Sequence, residues 1–239
     1  MIEMIRRFLR QKFDNPIVAV TLAAMALLIA FPAALSGGLS PTSGLLALIV
    51  LGAGSVSRDI SSGALQMILA RPITRTDYLW GRYLGILSAF AIFLAATAVL
   101  TVGISFLVPA MLHGARPTPD WVALARGFGA AFLNAVLISA IFVFFSTFLP
   151  GWGDVLGYFL LMLFVSLGAS LGDALQKPWL TRAGEVAREN VLPEPKFQEL
   201  LAGQRGLSAT TGRWALAVAV FLVAAALIFQ RREFAYGHD

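Results

Sequence analysis

The chain has 239 residues, of which 58% are hydrophobic and 13% are charged, and its mean hydropathy is +0.79. Soluble domains carry about 25% charged residues, so this composition excludes an ordinary water-soluble protein and predicts a membrane protein. The chain contains no cysteine, which excludes disulfides and thiolate metal sites. Its net charge of +5 fits basic loops facing an anionic leaflet better than nucleic-acid binding.

Residues 1–14 predict an amphipathic helix that lies on the membrane surface. Apolar side chains recur there at the helical period, and basic side chains occupy the other faces. The apolar positions are Ile2, Ile5, Phe8, Leu9 and Phe13, and the basic ones are Arg6, Arg7 and Arg10. The alternative is a merely basic flank that sets the orientation of the first span.

Charge-free windows predict six membrane-spanning helices. They cover approximately residues 16–34, 41–57, 83–115, 127–153, 155–172 and 214–230. The second, fifth and sixth are short against the roughly 20 residues that a bilayer core needs, and they rely on their flanks. Ser40 and Pro41 are the expected start of the second span. Cleavage of the first span as a signal peptide is disfavoured, since its apolar run exceeds the usual 7–15 residues.

The basic residues around the first two spans predict the orientation. Four precede the first span (Arg6, Arg7, Arg10, Lys12), four follow the second (Arg58, Arg71, Arg75, Arg82), and the 35–43 loop between the spans has none. The positive-inside rule therefore places both termini and the 58–82 segment in the cytoplasm. Six basic residues in 173–213 run against this arrangement, because that segment lies outside in a six-span chain.

The spans carry no catalytic or ion-coupling groups. Their deep positions lack Asp, Glu, Lys, Arg and His, and Asn134 is the one amide well inside the fourth span, where a hydrogen bond between helices explains it. No nucleophile–base pair, metal-ligand spacing or phosphate-binding loop is present. The sequence predicts that the chain is not an enzyme and binds no cofactor. An apolar interior fits an amphipathic or lipid-like cargo, or a machine powered by another protein.

Residues 58–85 form the most distinctive segment. Ile60, Ala64, Met67 and Ile68 form one stripe of a short helix over 58–70, which should end at Arg71-Pro72. Thr74 or Thr76 is then placed to cap the helix that continues into the third span. Such a helix, apolar on two faces, needs a partner to cover it. The alternative is a basic loop that contacts nothing.

This segment resembles the membrane subunits of type-2 ABC exporters. The resemblance rests on Asp59, Gly63, Leu65, Leu69, Arg71-Pro72-Ile73-Thr74-Arg75, Tyr78 and Gly81-Arg82-Tyr83-Leu84-Gly85. The six spans, the N-terminal helix, the outer loop and the tail from Phe229 through Arg231-Arg232-Glu233-Phe234 are similar too. The chain departs from the family pattern in having Gly-Arg for Gly-Lys, and Ser61 where a second acid is common.

The resemblance implies a division of labour between two kinds of subunit. A separate cytoplasmic ATPase would bind ATP and Mg²⁺, while this chain, in a bacterial-type inner (plasma) membrane, would supply the path. The helix over 58–70 would be the coupling helix that docks on the ATPase. The implied contact residues are Asp59, Gly63, Leu65, Ile68, Leu69, Arg71, Pro72 and Arg75. A second copy, or a sister subunit, would complete the permease.

The resemblance also implies that spans two and five face each other across the axis of a dimer. Candidate path residues are Leu48, Leu51, Ser55, Phe159, Leu163 and Phe164, although core packing explains them equally well. The family places a small extracytoplasmic cap at 173–212, where residues 180–191 predict a short helix; a solvated connector is the equal alternative.

The competing function is a membrane scaffold without transport. An ATPase gene next door would favour the exporter, and the sequence does not choose a cargo.

Overall fold

Nine helices run through the described part of the chain. The structure is a computed structural model, and it describes residues 2–36, 44–61, 65, 73–112, 120–149, 151–193 and 209–231. The helices are α1 (Ile2–Phe13), α2 (Pro16–Ser36), α3 (Leu45–Gly52), α4 (Ser57–Ser61), α5 (Arg75–Leu112), α6 (Trp121–Ser146), α7 (Gly153–Ala174), α8 (Pro178–Val191) and α9 (Ala209–Arg231). These ranges contain no strand, which confirms the all-α class.

Four helices are long and apolar enough to cross a membrane. They are Pro16–Leu35 of α2, Arg75–Leu107 of α5, Trp121–Ser146 of α6 and Thr210–Arg231 of α9. The apolar part of α7, Gly153–Leu167, is shorter. Helix α3 has 8 residues and rises only about 12 Å, less than half of the roughly 30 Å of a bilayer core. The membrane character predicted from composition is therefore confirmed.

The second predicted span differs most from its sequence-based bounds. Instead of a continuous helix over 41–57, α3 begins at Leu45, after a left-handed Gly44 (φ 101°), and ends at Gly52. A turn over 53–56 follows, where Gly54 also has a positive φ, 67°. Glycine adopts such angles at no steric cost, so Gly44 and Gly54 permit the turns on either side of the helix. Ser40 and Pro41 lie outside the described residues.

Helix α1 packs along the start of α5. Phe8 is buried against Gly85, and Met4 lies against Gly81, so a Cβ at either glycine would come within 2.9 Å of the opposing side chain. The predicted amphipathic helix is present, but Phe8 of its apolar face is buried by α5 rather than facing outward. Ile2, at the other end of α1, is exposed.

Helix α6 lies at the centre of the bundle, packed against α3, α5, α7 and α9. Its buried side chains include Ala131, Ala135, Ile141 and Phe142. Helix α8 folds back on α7 as a hairpin, through a turn in which Gln176 has a positive φ. The helix predicted over 180–191 is confirmed and begins two residues earlier, with Pro178 in its first turn.

Candidate functional site

A buried ion pair joins α4 to α5. The Asp59 carboxylate pairs with the Arg82 guanidinium and accepts a 2.5 Å hydrogen bond from the Tyr78 hydroxyl. Arg82 Nε also donates to Tyr78, at 3.2 Å. The Arg82 and Asp59 side chains are 13% and 10% exposed, so the pair is largely shielded from solvent. We call these three residues the α4–α5 junction. Since Arg82 lies one helical turn after Tyr78, both side chains reach the same carboxylate.

Helix α1 covers the α4–α5 junction. The Arg82 guanidinium lies 5.6 Å from the centroid of the Phe8 ring and donates to Gln11 Oε1 at 3.3 Å. Lys12 donates to the carbonyl oxygens of Val50 and Ala53 at 3.2 and 3.3 Å, which satisfies carbonyls at the C-terminal end of α3. Helix α1 therefore makes hydrogen bonds to both the end of α3 and the start of α5.

Lys12 lies in a basic environment. Burial, followed by the nearby Arg58 and Arg82, lowers the pKa of the Lys12 ammonium from 10.5 to about 8, and Asp154 offsets part of this effect. Desolvation and like charges both disfavour a protonated amine. The side chain thus keeps its hydrogen bonds to α3 at an electrostatic cost.

Polar groups of α6 and α7 fix the turn that leads into α4. Asp154 accepts from the Gly54 N–H at 2.7 Å. The Ser146 hydroxyl oxygen accepts from the N–H groups of Val56 and Ser57 at 3.0 and 2.8 Å. These bonds satisfy backbone donors at the beginning of α4, which a five-residue helix cannot satisfy alone. The start of α4 is therefore held by α6 and α7, and Asp59 in its middle is held by α5.

The last helix joins the same region. Arg75, the first residue of α5, donates to the carbonyl oxygen of Gln230 at 2.8 Å and to that of Phe229 at 3.4 Å. The Phe229 ring stacks on Tyr78, with centroids 5.8 Å apart and planes 16° apart. Tyr78 thus contacts Asp59 with its hydroxyl and α9 with its ring.

The start of α5 is capped by Thr74, one of the two predicted threonines. Its hydroxyl oxygen accepts from the Asp77 N–H at 3.1 Å, and the hydroxyl donates to the Asp77 carboxylate at 2.7 Å. The side chains of both residues thus help to fix the first turn of α5. Arg75, the next residue, is therefore held where it reaches α9.

The predicted partner-contact residues divide into two groups. Gly63, Ile68, Leu69, Arg71 and Pro72 lie outside the described residues. Asp59 points into the chain, and Leu65 is 1% exposed. The half-buried Arg75 bonds to α9. The three described members are therefore engaged within the chain.

The predicted path residues also divide into two groups. Leu48, Leu51 and Ser55 are buried in the bundle, and the Ser55 hydroxyl has no hydrogen-bond partner among the described residues. Phe159, Leu163 and Phe164 are 50%, 53% and 76% exposed on the outer face of α7. Within one chain, the buried residues and the exposed residues therefore do not line a common path. Leu48 instead lines a cavity of about 340 Å³ that also contacts Asn134 and Tyr158.

Sequence reasoning missed the roles of several residues. Tyr78 and Arg82 stood out as parts of a motif, but not as partners of Asp59. Asp154 marked only the edge of a charge-free window, and Lys12 only counted toward the orientation. For Lys12 and Asp154 the available signal was that each lies next to a helix end, where side chains complete backbone hydrogen bonds. No group of three or more His, Cys, Asp or Glu that would hold a metal occurs in the described ranges.

Comparison with known proteins gives one family. A family model described as "Protein of unknown function (DUF2705)" matches residues 43–235, which include α3 to α9 and the α4–α5 junction. No curated protein and no solved structure matches the chain significantly.

Proposed function

The chain belongs to the DUF2705 family, and we propose that it is the membrane-spanning permease subunit of an ATP-driven exporter. A separate cytoplasmic ABC ATPase supplies the energy and binds ATP and Mg²⁺. The cargo is amphipathic or hydrophobic, and a second copy or a sister subunit completes the path. Helix α4 begins the segment over 58–70 that docks on the ATPase.

The buried Asp59–Arg82 pair is the observation that supports this proposal most strongly. A docking helix transmits force only if it moves as one body with the spans, and a flexible tether would absorb the displacement. Asp59 ties α4 to α5, and Ser146 and Asp154 tie its start to α6 and α7. A push on α4 therefore reaches α5, α6 and α7 directly, and it reaches α1 through the Arg82–Gln11 hydrogen bond.

The same contacts support six crossings and cytoplasmic termini. Helix α2 leads away from α1, yet the end of α3 bonds to Lys12 and the start of α5 bonds to Gln11. The chain therefore returns to its starting side between α2 and α5. Helix α7 likewise starts beside Gly54, and α9 ends beside Arg75. With basic residues at this end, the positive-inside rule makes it cytoplasmic.

The proposal is tested by co-purification of the full chain with a candidate ABC ATPase. A Leu69→Asp/Arg71→Ala variant places a charge at one of the implied contact residues and removes a cation at another. We expect the amount of ATPase that co-purifies with this variant to be at least about tenfold lower than with the native chain. The reason is that a few hot-spot residues contribute most of the binding free energy of such interfaces. Asp59 is left unchanged, because its loss would disturb this chain directly.

The matched control is Val186→Asp/Arg182→Ala, which makes the same two chemical changes on the exposed face of α8. It should retain the ATPase within about twofold, a difference below 0.5 kcal/mol. If the native chain retains no ATPase, or the Leu69 variant retains as much as the native chain, the exporter assignment fails. The scaffold function then takes its place.

A further inference from the structure

A second cavity, of about 130 Å³, lies under α1 beside the α4–α5 junction. Its lining residues among those described include three cations, Lys12, Arg58 and Arg82, and no carboxylate. Two acids of this region face other partners, since Asp59 accepts from Tyr78 and pairs with Arg82, and Asp154 accepts from the Gly54 N–H. Among the described residues, the charged side chains that line the space are therefore all cations.

Neutral hydrogen-bond donors complete the lining. The amide side chains of Gln11 and Asn15 border the cavity, and so does Ser55. Ser55 is 2% exposed, and its hydroxyl has no partner within the described part of the chain. A buried hydroxyl without a partner is costly, so a ligand that accepts its hydrogen bond would be favoured in this cavity.

The surroundings of the cavity resemble those of a lipid-headgroup site. It is covered by the amphipathic α1, and its rim includes Trp152, which is 63% exposed and lies 5.3 Å from the Arg58 guanidinium. Exposed tryptophans concentrate at the membrane–water boundary, and basic pockets on the cytoplasmic side bind anionic headgroups.

We infer that this cavity binds a phosphate group, supplied by the headgroup of an anionic phospholipid. The phosphate oxygens would accept hydrogen bonds from Lys12 and Ser55, while Arg58 supplies further positive charge and Arg82 keeps its pairing with Asp59. The bound lipid would join α1 to the end of α3 and the start of α4. This inference does not depend on the ATPase, and its test uses the full chain alone.

The test measures lipid binding by the purified full-length chain in a nonionic detergent. Dioleoyl phosphatidylglycerol, dioleoyl phosphatidylcholine and inorganic phosphate are titrated separately, and bound lipid is counted by native mass spectrometry. We expect phosphatidylglycerol to bind at least about tenfold more tightly than phosphatidylcholine, because only the former carries a net negative charge. A similar affinity for the two lipids would overturn the inference.

Two variants assign the binding to this cavity. Lys12→Gln should weaken phosphatidylglycerol binding about tenfold, and Ser55→Ala about fivefold, as expected for a charged and a neutral hydrogen bond. Ser55→Ala removes only a hydroxyl that lacks a partner, so it leaves the fold intact. The control Arg10→Gln removes an exposed cation from the same helix and should bind like the native chain. Unchanged binding by both Lys12→Gln and Ser55→Ala would refute the site.

The inorganic phosphate arm identifies the source of the group. If millimolar phosphate leaves phosphatidylglycerol binding unchanged, the lipid is the ligand, as inferred. If phosphate displaces the lipid from the native chain but not from Lys12→Gln, the cavity is a phosphate site. The inference that a lipid headgroup supplies the phosphate group is then overturned.

Discussion

Asp59 and Arg82 form a buried charge pair, and such pairs are costly to break. Removing one partner leaves an uncompensated buried charge, which typically costs about 3–5 kcal/mol, whereas removing both costs much less. The Tyr78 hydroxyl adds a hydrogen bond to the same carboxylate. The pair therefore specifies where α4 lies more than it adds to total stability.

Arg82→Met should lower the free energy of unfolding by about 3–5 kcal/mol, because Asp59 then remains buried without its cation. The measurement is chemical unfolding in a mild detergent, followed by tryptophan fluorescence. The double variant Asp59→Asn/Arg82→Met should recover at least about half of that loss.

The Arg213–Glu189 pair provides the matched control. Its atoms lie 2.7 Å apart, but the two side chains are 44% and 63% exposed. Solvent screens such a pair, so Arg213→Met should cost less than about 1 kcal/mol. Equal losses for Arg82→Met and Arg213→Met would contradict the role given to burial.

Lys12 predicts an unusual pH dependence. Its pKa is lowered from 10.5 to about 8 in the folded chain, so the unfolded chain binds more protons between these two pH values. Stability rises with pH wherever the unfolded state binds more protons. The unfolding midpoint of the native chain, relative to Lys12→Met, should therefore rise from pH 8 toward pH 10.5.

The matched substitution is Lys12→Arg, whose guanidinium does not titrate in this range. Its midpoint relative to Lys12→Met should stay level from pH 7.5 to 10. If the unfolding midpoint of the native chain relative to Lys12→Met also stays level over this pH range, the pKa of Lys12 is not lowered in the folded chain.

At the scale of elements, α1 depends on two glycines of α5. Gly81 and Gly85 are one helical turn apart, and their missing side chains leave the space that Met4 and Phe8 occupy. The sequence showed both glycines as parts of a motif, and the contact with α1 supplies the physical reason for them. A surface helix held in this way is positioned by packing as well as by the bilayer.

Gly85→Ala should loosen α1. The added Cβ would lie 2.9 Å from Cγ of Phe8, so the ring must shift, at a cost of about 1–3 kcal/mol. Limited trypsin digestion should then cut the basic α1 faster than in the native chain. Gly103→Ala on the same helix is the control, since a Cβ there meets nothing within 4 Å in the described structure. If both variants are cut at the same rate, the position of α1 does not depend on the space that Gly85 leaves for Phe8.

At the scale of the whole molecule, the absence of cysteine permits a direct test of the crossings. With six crossings, single cysteines at Asp14 and Thr74 face the cytoplasm, and one at Arg182 faces outward. Four crossings by α2, α5, α6 and α9 alone would leave Asp14 inside but move Thr74 outside. We expect a membrane-impermeant maleimide on intact cells to label Arg182→Cys only. Labelling of Thr74→Cys would reject six crossings.

The sequence predicted the helical class, α1 and the long apolar helices, because periodicity and charge-free length depend on local composition alone. It could not predict that α3 ends at Gly52, since the turn relies on Asp154, 100 residues away. For the same reason Asp59 was expected to contact the ATPase. Whether a carboxylate faces outward or pairs inward depends on Arg82 and Tyr78 being oriented by tertiary packing.

The stacking of Phe229 on Tyr78 has a practical consequence for anyone who shortens or tags this protein. A chain that stopped before Phe229 would lose the ring on Tyr78 and both carbonyl acceptors of Arg75. The Tyr78 ring would then be less firmly packed, and so would the hydrogen bond from its hydroxyl to Asp59. An experimenter would see a truncation at the carboxyl end as a defect of α4. Affinity tags and deletions therefore belong after Arg231, where they leave the last turn of α9 complete.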